Sequence, residues 1–281
     1  MSIALACTVR GCGLVLTRHD STLRCANGHS YDVARSGYVN LLQPQDRRSL
    51  DAGDSKDVVA ARARLIAAGI GRALIDALVS TAASLDLGES PVAIELGSGT
   101  GDLLAALART RPIAAIGIDL STAAAGHAAR RHPELTWVVA NADRRLPVLD
   151  GSASLVLSMH ARRNPDECAR ILSPGGFLLV AVPGPDDLIE LRASVQGEGV
   201  ERDRVATLVA EHARHFTPAG HTSVRGQQHL DREALRDLLR ISYRGARESA
   251  AARVDALRPM DVTFASDLVL FRRGEADYTS P

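Results

Sequence analysis

Val92-Ala93-Ile94-Glu95-Leu96 is a short apolar run that breaks into Gly97-Ser98-Gly99-Thr100-Gly101. Alternating glycines can continue neither a strand nor a helix. They let the backbone bend sharply and let a ligand lie against the main chain. The spacing predicts a helix from Leu103 to Ala108, and the same rhythm then repeats. Apolar runs at Ala114 to Leu120, Thr136 to Ala140, Ser154 to Met159 and Phe177 to Val182 alternate with helical segments such as Thr122 to His132. Five such runs imply a parallel sheet covered on both faces. Val262 to Phe271 reads as a last strand, with Thr222 to Leu230 antiparallel to it, and helices are expected at Asp231 to Ile241 and Ser249 to Leu257. The expectation is an α/β, Rossmann-like fold with a mostly parallel seven-stranded sheet. With aromatics at 3% and hydrophobic residues at 46%, its core must be mostly Leu, Val, Ile and Ala.

Upstream, a helix capped by Asp54 or Ser55 runs through Val58 to Ile66, and a second covers Arg72 to Leu85. Residues 43–55 carry turn chemistry. The expected division is a small lobe (1–45), a helical linker (46–90), the main α/β domain (91–273) and a frayed tail (274–281). No stretch of roughly 18 unbroken apolar residues is present, and the start lacks signal-peptide character. The expectation is therefore a cytoplasmic chain with no membrane partner.

The glycine spacing is G-x-G-x-G, not the G-x-G-x-x-G of dinucleotide binders. Asp119 closes the second strand, where a carboxylate can accept from both hydroxyls of a ribose. Asn141 ends the third strand, where it can face an adenine. Ligands of open parallel sheets bind at these strand ends. Glu95 would repel a pyrophosphate but suits a cationic ligand such as the sulfonium and amino group of S-adenosylmethionine. The expected cofactor contacts are Glu95, Gly97, Ser98, Gly99, Gly101, Leu103, Leu104, Asp119 and Asn141. The competing readings are an NAD-type fold and a glycine turn without ligand. In its five strands, over about residues 91–271, the chain resembles class I S-adenosylmethionine-dependent methyltransferases.

Cys7, Cys12, Cys25 and His29 have the spacing C-x4-C, C-x12-C, C-x3-H. Three soft thiolates and one imidazole suit a closed tetrahedral site for structural Zn2+, and Gly11, Gly13 and Gly28 stand where tight knuckles need them. The other reading is unrelated buried thiols. Cys168 stands alone in a helical segment and reads as core.

Beyond the knuckle the chain reads Leu23-Arg24-Cys25-Ala26-Asn27-Gly28-His29-Ser30-Tyr31-Asp32, then Gly37-Tyr38-Val39-Asn40-Leu41-Leu42, Asp51-Ala52-Gly53-Asp54-Ser55 and Ala61-Arg62. These strings resemble the bacterial 23S rRNA guanine-N1-methyltransferases, including macrolide-resistance members of actinomycetes. The resemblance implies methyl transfer to a guanine N1, a large-subunit ribosomal RNA hairpin gripped by the zinc lobe, and dimers. It makes Arg35, Tyr38, Arg47, Arg48 and Arg62 candidate RNA contacts. It also places Asp187, in the loop after the fifth strand, near the cofactor.

The chain departs from that family at several points. An aromatic–Ala–Pro stretch of the family reads His160-Ala161-Arg162 here, which makes His160 a candidate proton acceptor or a mere space-filler. Gly69-Ile70-Gly71 stands where a Gly-His-Tyr segment is usual, Asp187 where a histidine is common, and Ile241 to Gly245 differs as well. Two further classes therefore stay open: a small-molecule methyltransferase of the same fold, and a diverged binding protein without catalysis. Charge does not discriminate. The chain is neutral, with about +4 in residues 1–72 and about −4 in the rest, so only a mildly basic N-terminal lobe favours RNA.

Overall fold

Burial on both faces decides which apolar runs become inner strands. A computed structural model of the chain describes residues 5–46, 53–196, 204–242 and 257–274. Near the N-terminus, β1 (Thr17–His19), β2 (Thr22–Arg24) and β3 (Ser30–Asp32) form a three-stranded antiparallel sheet, followed by β4 (Val39–Asn40). Helices α1 (Lys56–Ala67) and α2 (Arg72–Ala83) lead to β5 (Val92–Leu96), α3 (Asp102–Thr110), β6 (Ala114–Asp119), α4 (Thr122–Arg131) and β7 (Thr136–Val139). Then come β8 (Ala153–Met159), α5 (Pro165–Ile171), β9 (Leu172–Pro183), α6 (Ile189–Gln196), α7 (Arg204–His212), β10 (Phe216–Leu230), α8 (Arg232–Ser242) and β11 (Met260–Arg273). Local chemistry sets several helix starts. Ser55 caps α1, Ser121 caps α4, and Asn164 accepts from Asp166 and Glu167 N–H with Pro165 in the first turn of α5.

The large sheet has the order β10-β11-β9-β8-β5-β6-β7-β4. All pairs from β9 to β4 are parallel, whereas β11 runs antiparallel to both β9 and β10. The sheet therefore has eight strands rather than the expected seven. The extra one is β4, whose Val39 and Asn40 pair with Val138 and Val139. Two residues are too short for a periodic signal, but they satisfy the open edge of β7 and bury Val39. β10 is also longer than expected, starting at Phe216 instead of Thr222. Of its added residues, Thr217 to His221 are exposed and include Pro218, Ala219 and Gly220, so hydrophobic patterning could not mark them, while pairing with β11 holds them in place. The helix expected at Ser249 to Leu257 and the tail lie outside the described residues, Leu257 and Gly274 apart.

One face of the sheet packs on the N-terminal lobe. Leu5, Leu16, Leu23, Val39 and Leu41 share a single apolar cluster with Ile94, Ile116 and Val138. The other face packs on α2, α3 and α4 around Trp137. A third cluster joins Leu65 of α1 to Leu191, Leu235, Leu238 and Val262. There Arg64 grips Asp237 of α8 with two hydrogen bonds of 2.7 Å, a bidentate geometry that fixes orientation as well as distance. No single helix among the described residues is long and apolar enough to cross a membrane.

Candidate active site and metal centre

The metal-ligand side chains come together as their spacing implied. The Sγ atoms of Cys7, Cys12 and Cys25 and a ring nitrogen of His29 all lie within 4.8 Å of one another. Cys7 and Cys25 Sγ are each 3.4 Å from His29 Nδ1, and Cys12 and Cys25 Sγ are 3.8 Å apart. A tetrahedral shell with bonds of about 2.0–2.3 Å sets its ligand atoms roughly 3.5–3.8 Å apart, close to these three separations, so the set fits Zn2+. Backbone turns make it: Cys12 N–H donates to Val9 O, Gly28 N–H to Cys25 O, and Gly13 N–H to Cys7 O. Tyr31 Oη lies 3.1 Å from Cys7 Sγ, an outer-shell contact of the kind that orients a ligand. Cys168 is apart from this set, fully buried in α5 with its thiol pushed up to about 12, chiefly by burial.

The glycine bend follows β5. Gly97 and Gly101 have φ of 69° and 83°, and a Cβ on either would fall 2.4 Å from Ala161 Cβ or Trp137 Cη2. Only glycine satisfies both the left-handed backbone and the close approach. Trp137 is 1% exposed. It also covers Gly117 and anchors its Nε1–H on His132 O at 2.9 Å, so the chain's one tryptophan backs the bend. Asp119 ties the bend to β6. Its Oδ2 accepts from Gly99 N–H and its Oδ1 from Ser121 N–H, both at 2.8 Å. Burial raises its pKa, opposed by those two hydrogen bonds.

In front of the bend lies a cavity of about 380 Å³. Glu95, Gly97, Ser98, Gly99, Leu103, His160 and Asp187 line it, together with Thr100 and Asp102. Gly101 and Leu104 do not; they face the core. Asp119 is not part of the lining and reaches the bend through Gly99 N–H. Asn141 is buried, with its Oδ1 taken by Asp143 N–H at 2.9 Å. Sequence reasoning missed the far wall, where Leu74 of α2, Val224 and Gln228 of β10, and Phe264 and Ser266 of β11 contribute. None carries a local motif, and only the folded sheet brings them there.

Glu95 sits at the cavity 1% exposed, with Oε2 lacking any partner. Burial, first, raises its pKa well above the ordinary value, with Asp119 and Asp102 adding repulsion and a backbone hydrogen bond at Leu104 opposing. Such a carboxyl calls for a cation. Ser98 Oγ is likewise buried without a partner. The residues present therefore fit the charged end of S-adenosylmethionine. His160 lines the cavity, where it is exposed to solvent although protein surrounds it on several sides. Its φ is 52°, a strained region for this residue type, and Nε2 is 3.0 Å from Ser266 Oγ. Enclosure, then the charges of Arg62 and Arg204, hold its pKa down to about 4. Asp187 accepts from Ala265 N–H at 3.0 Å and is pushed up to about 6, mainly by burial.

Of the expected RNA contacts, Arg35 is exposed. Tyr38 instead packs toward α4, with its ring 3.5 Å from a Cβ position on Gly126. Arg62 lines the cavity. Arg47 and Arg48 lie outside the described residues.

Residues 6–50 match the family model "RlmA, N-terminal", a zinc ribbon, and residues 93–176 match "Methyltransferase domain". Fold and site together define an S-adenosylmethionine-dependent class I methyltransferase carrying a structural zinc ribbon. Solved structures of BH2331 from Bacillus halodurans (TM-score 0.51, 14% identity, 70% of this chain and 98% of that one) and YcgJ from Bacillus subtilis (0.51, 14%, 72% and 98%) share its fold. Closer in sequence is the 23S rRNA (guanine(748)-N(1))-methyltransferase of Streptomyces fradiae, 39% identical over 80% of each chain. A Micromonospora griseorubida protein assigned to the 23S rRNA (guanine-N(1)-)-methyltransferases is 35% identical over 95% of this chain and 97% of its own length. The chain belongs to the 23S rRNA (guanine-N1)-methyltransferase family.

Proposed function

We propose that this chain transfers the methyl group of S-adenosylmethionine to N1 of a guanine in a hairpin of 23S rRNA, acting in the cytoplasm. One observation carries the reading: a zinc ribbon of this family shares its core with a sheet whose glycine bend faces a cavity holding an unpartnered carboxyl. A small-molecule enzyme has no use for such a ribbon. The ribbon presents Arg10, Arg18, Arg24 and Arg35 in exposed positions, suited to phosphates and to salt-dependent binding.

The cofactor supplies an electrophilic methyl group. Glu95, Gly97, Ser98, Gly99 and Leu103 hold it at the cavity; Gly101 and Leu104 shape the bend from behind, and Asp119 offers its remaining lone pairs to the ribose. Asn141, two residues past β7, is assigned to the adenine. Guanine N1 carries a proton, so the base must be extruded and that proton accepted as the new bond forms. A ring with a pKa of about 4 is neutral at working pH but a weak proton acceptor, so His160 is assigned to holding the base edge and the Asp187 carboxylate to accepting the N1 proton. Asp187 lines the same cavity, and its carboxyl, pushed up to about 6, is the better matched of the two to that task.

The direct test incubates the zinc-loaded protein with unmodified 23S rRNA and radiolabelled cofactor, followed by primer extension. A new polymerase stop at one guanine is expected, because N1 methylation blocks Watson–Crick pairing. Label transfer to small molecules but to no RNA would overturn the proposal.

A further inference from the structure

Six buried side-chain nitrogen or oxygen atoms have no partner among the described residues, and three of them belong to residues of this one cavity: Arg62 Nε, Glu95 Oε2 and Ser98 Oγ. Two of the three carry opposite charge, yet Arg62 makes its ion pair with Asp54, through Nη2 at 3.0 Å, rather than with Glu95. Arg62 reaches the bend from α1. Its Cδ and Nε lie 3.4 and 3.6 Å from the Cβ position of Gly99. Its support is built in. Ser121 Oγ donates to Asp54 O at 2.5 Å, and Gly53 sits so close that a Cβ there would come within 2.6 Å of Ser121 N. Ser121, beside Asp119, thus positions Asp54, and Asp54 positions Arg62 over the bend.

We propose that Arg62 and Glu95 form a subsite for an α-amino-acid zwitterion, the methionine end of the cofactor, with Arg62 Nε–H donating to its carboxylate and Glu95 accepting from its ammonium. This rests on the cofactor reading above and assigns Arg62 to the donor rather than the RNA. A buried polar atom without a hydrogen-bond partner is costly, and a ligand bearing both signs supplies an acceptor for Arg62 Nε–H and a donor for Glu95 Oε2 in one binding event. An RNA phosphate would satisfy Arg62 alone, leave Glu95 unpartnered and be repelled by it. Asp54 is a positioning residue in this scheme.

Calorimetry on the full-length zinc-loaded protein tests it with S-adenosylmethionine and its decarboxylated analogue, which lacks only the carboxylate. Arg62→Gln is expected to weaken S-adenosylmethionine binding about tenfold to a hundredfold, as for loss of a charge-assisted hydrogen bond. The same variant should bind the decarboxylated analogue as the wild type does, which also shows that its pocket is folded. Arg62→Lys should recover part of the loss. Equal weakening for both ligands, or unchanged S-adenosylmethionine affinity with lost binding of an rRNA hairpin, would overturn the subsite while leaving the cofactor reading intact. Failure of the wild type to bind either ligand would remove that reading and the subsite with it.

Discussion

The zinc ribbon and the methyl-donor pocket are both polar sites seated on the same sheet, but they are assembled in opposite ways. Every ribbon ligand lies between Cys7 and His29, and neighbouring backbone turns aim each thiol. The pocket gathers residues from Arg62 to Ser266, drawn from α1, α2, α3, α8 and the four strands β5, β8, β10 and β11, which must be in place before it exists. A site made by short-range chain geometry depends on its metal for stability. A site made by long-range packing depends on the core behind it, and its own polar groups are left strained or unpartnered until a ligand arrives.

The largest effect should come from the metal. Cys25→Ala, or removal of zinc by a chelator, is expected to unfold β1 to β3, since zinc binding in comparable small sites carries on the order of 10 kcal/mol of folding free energy. Because Leu16, Leu23 and Cys25 share a cluster with Ile94 and Val138, the melting temperature of the whole chain should fall. Hydrogen exchange unchanged over residues 17–32 in metal-free protein would break the comparison.

Next, Trp137→Ala should cost about 3–5 kcal/mol of stability, the usual range for emptying a large buried aromatic site. It should also weaken cofactor binding, because the indole backs Gly101 and Gly117. Denaturant unfolding and calorimetry on one preparation measure both; loss of stability with unchanged affinity would show that the bend does not rely on its backing.

Glu95→Gln separates binding from folding. Cofactor affinity should fall by about 1.5–3 kcal/mol, the range for hydrogen bonds to charged groups. Stability should hold or rise, since the change replaces a buried ionisable group with a neutral isostere. A variant that unfolds instead would make Glu95 part of the core and not of the donor site.

The smallest effect concerns Asp187. Its folded pKa, pushed up to about 6 from 3.8, means that folding disfavours the ionised form. Its contribution is therefore fully present below the unfolded value and is lost as pH rises through about 6. Asp187→Asn should be more stable than the wild type by about 1–2 kcal/mol at pH 8, allowing for partial exposure, and no more stable near pH 4. Parallel stability curves across that interval would show that the carboxylate is well solvated.

Two hidden features mark the limit of pattern reading. Val39 and Asn40 looked like part of a detached lobe, because two residues carry no periodicity, yet they close the edge of the large sheet. Arg62 looked like one basic residue among several on an RNA-facing segment. What places it beside Gly99 is the contact of Gly53 and Asp54 with Ser121 and the grip of Arg64 on Asp237, partners far away in the chain.

From residue types and spacing alone came the metal ligands, the glycine bend after β5, Asp119 at the end of β6 and the alternation that makes a mostly parallel sheet. Each is a local property: bond geometry, backbone freedom, or which faces of a short segment must leave water. The tertiary structure decided which unpartnered groups share a cavity, that the pKa of His160 is pushed down and that of Asp187 up, and that the ribbon shares the core of the methyltransferase domain. Those outcomes depend on desolvation and on charges brought close across long loops, and no stretch of sequence encodes either one on its own.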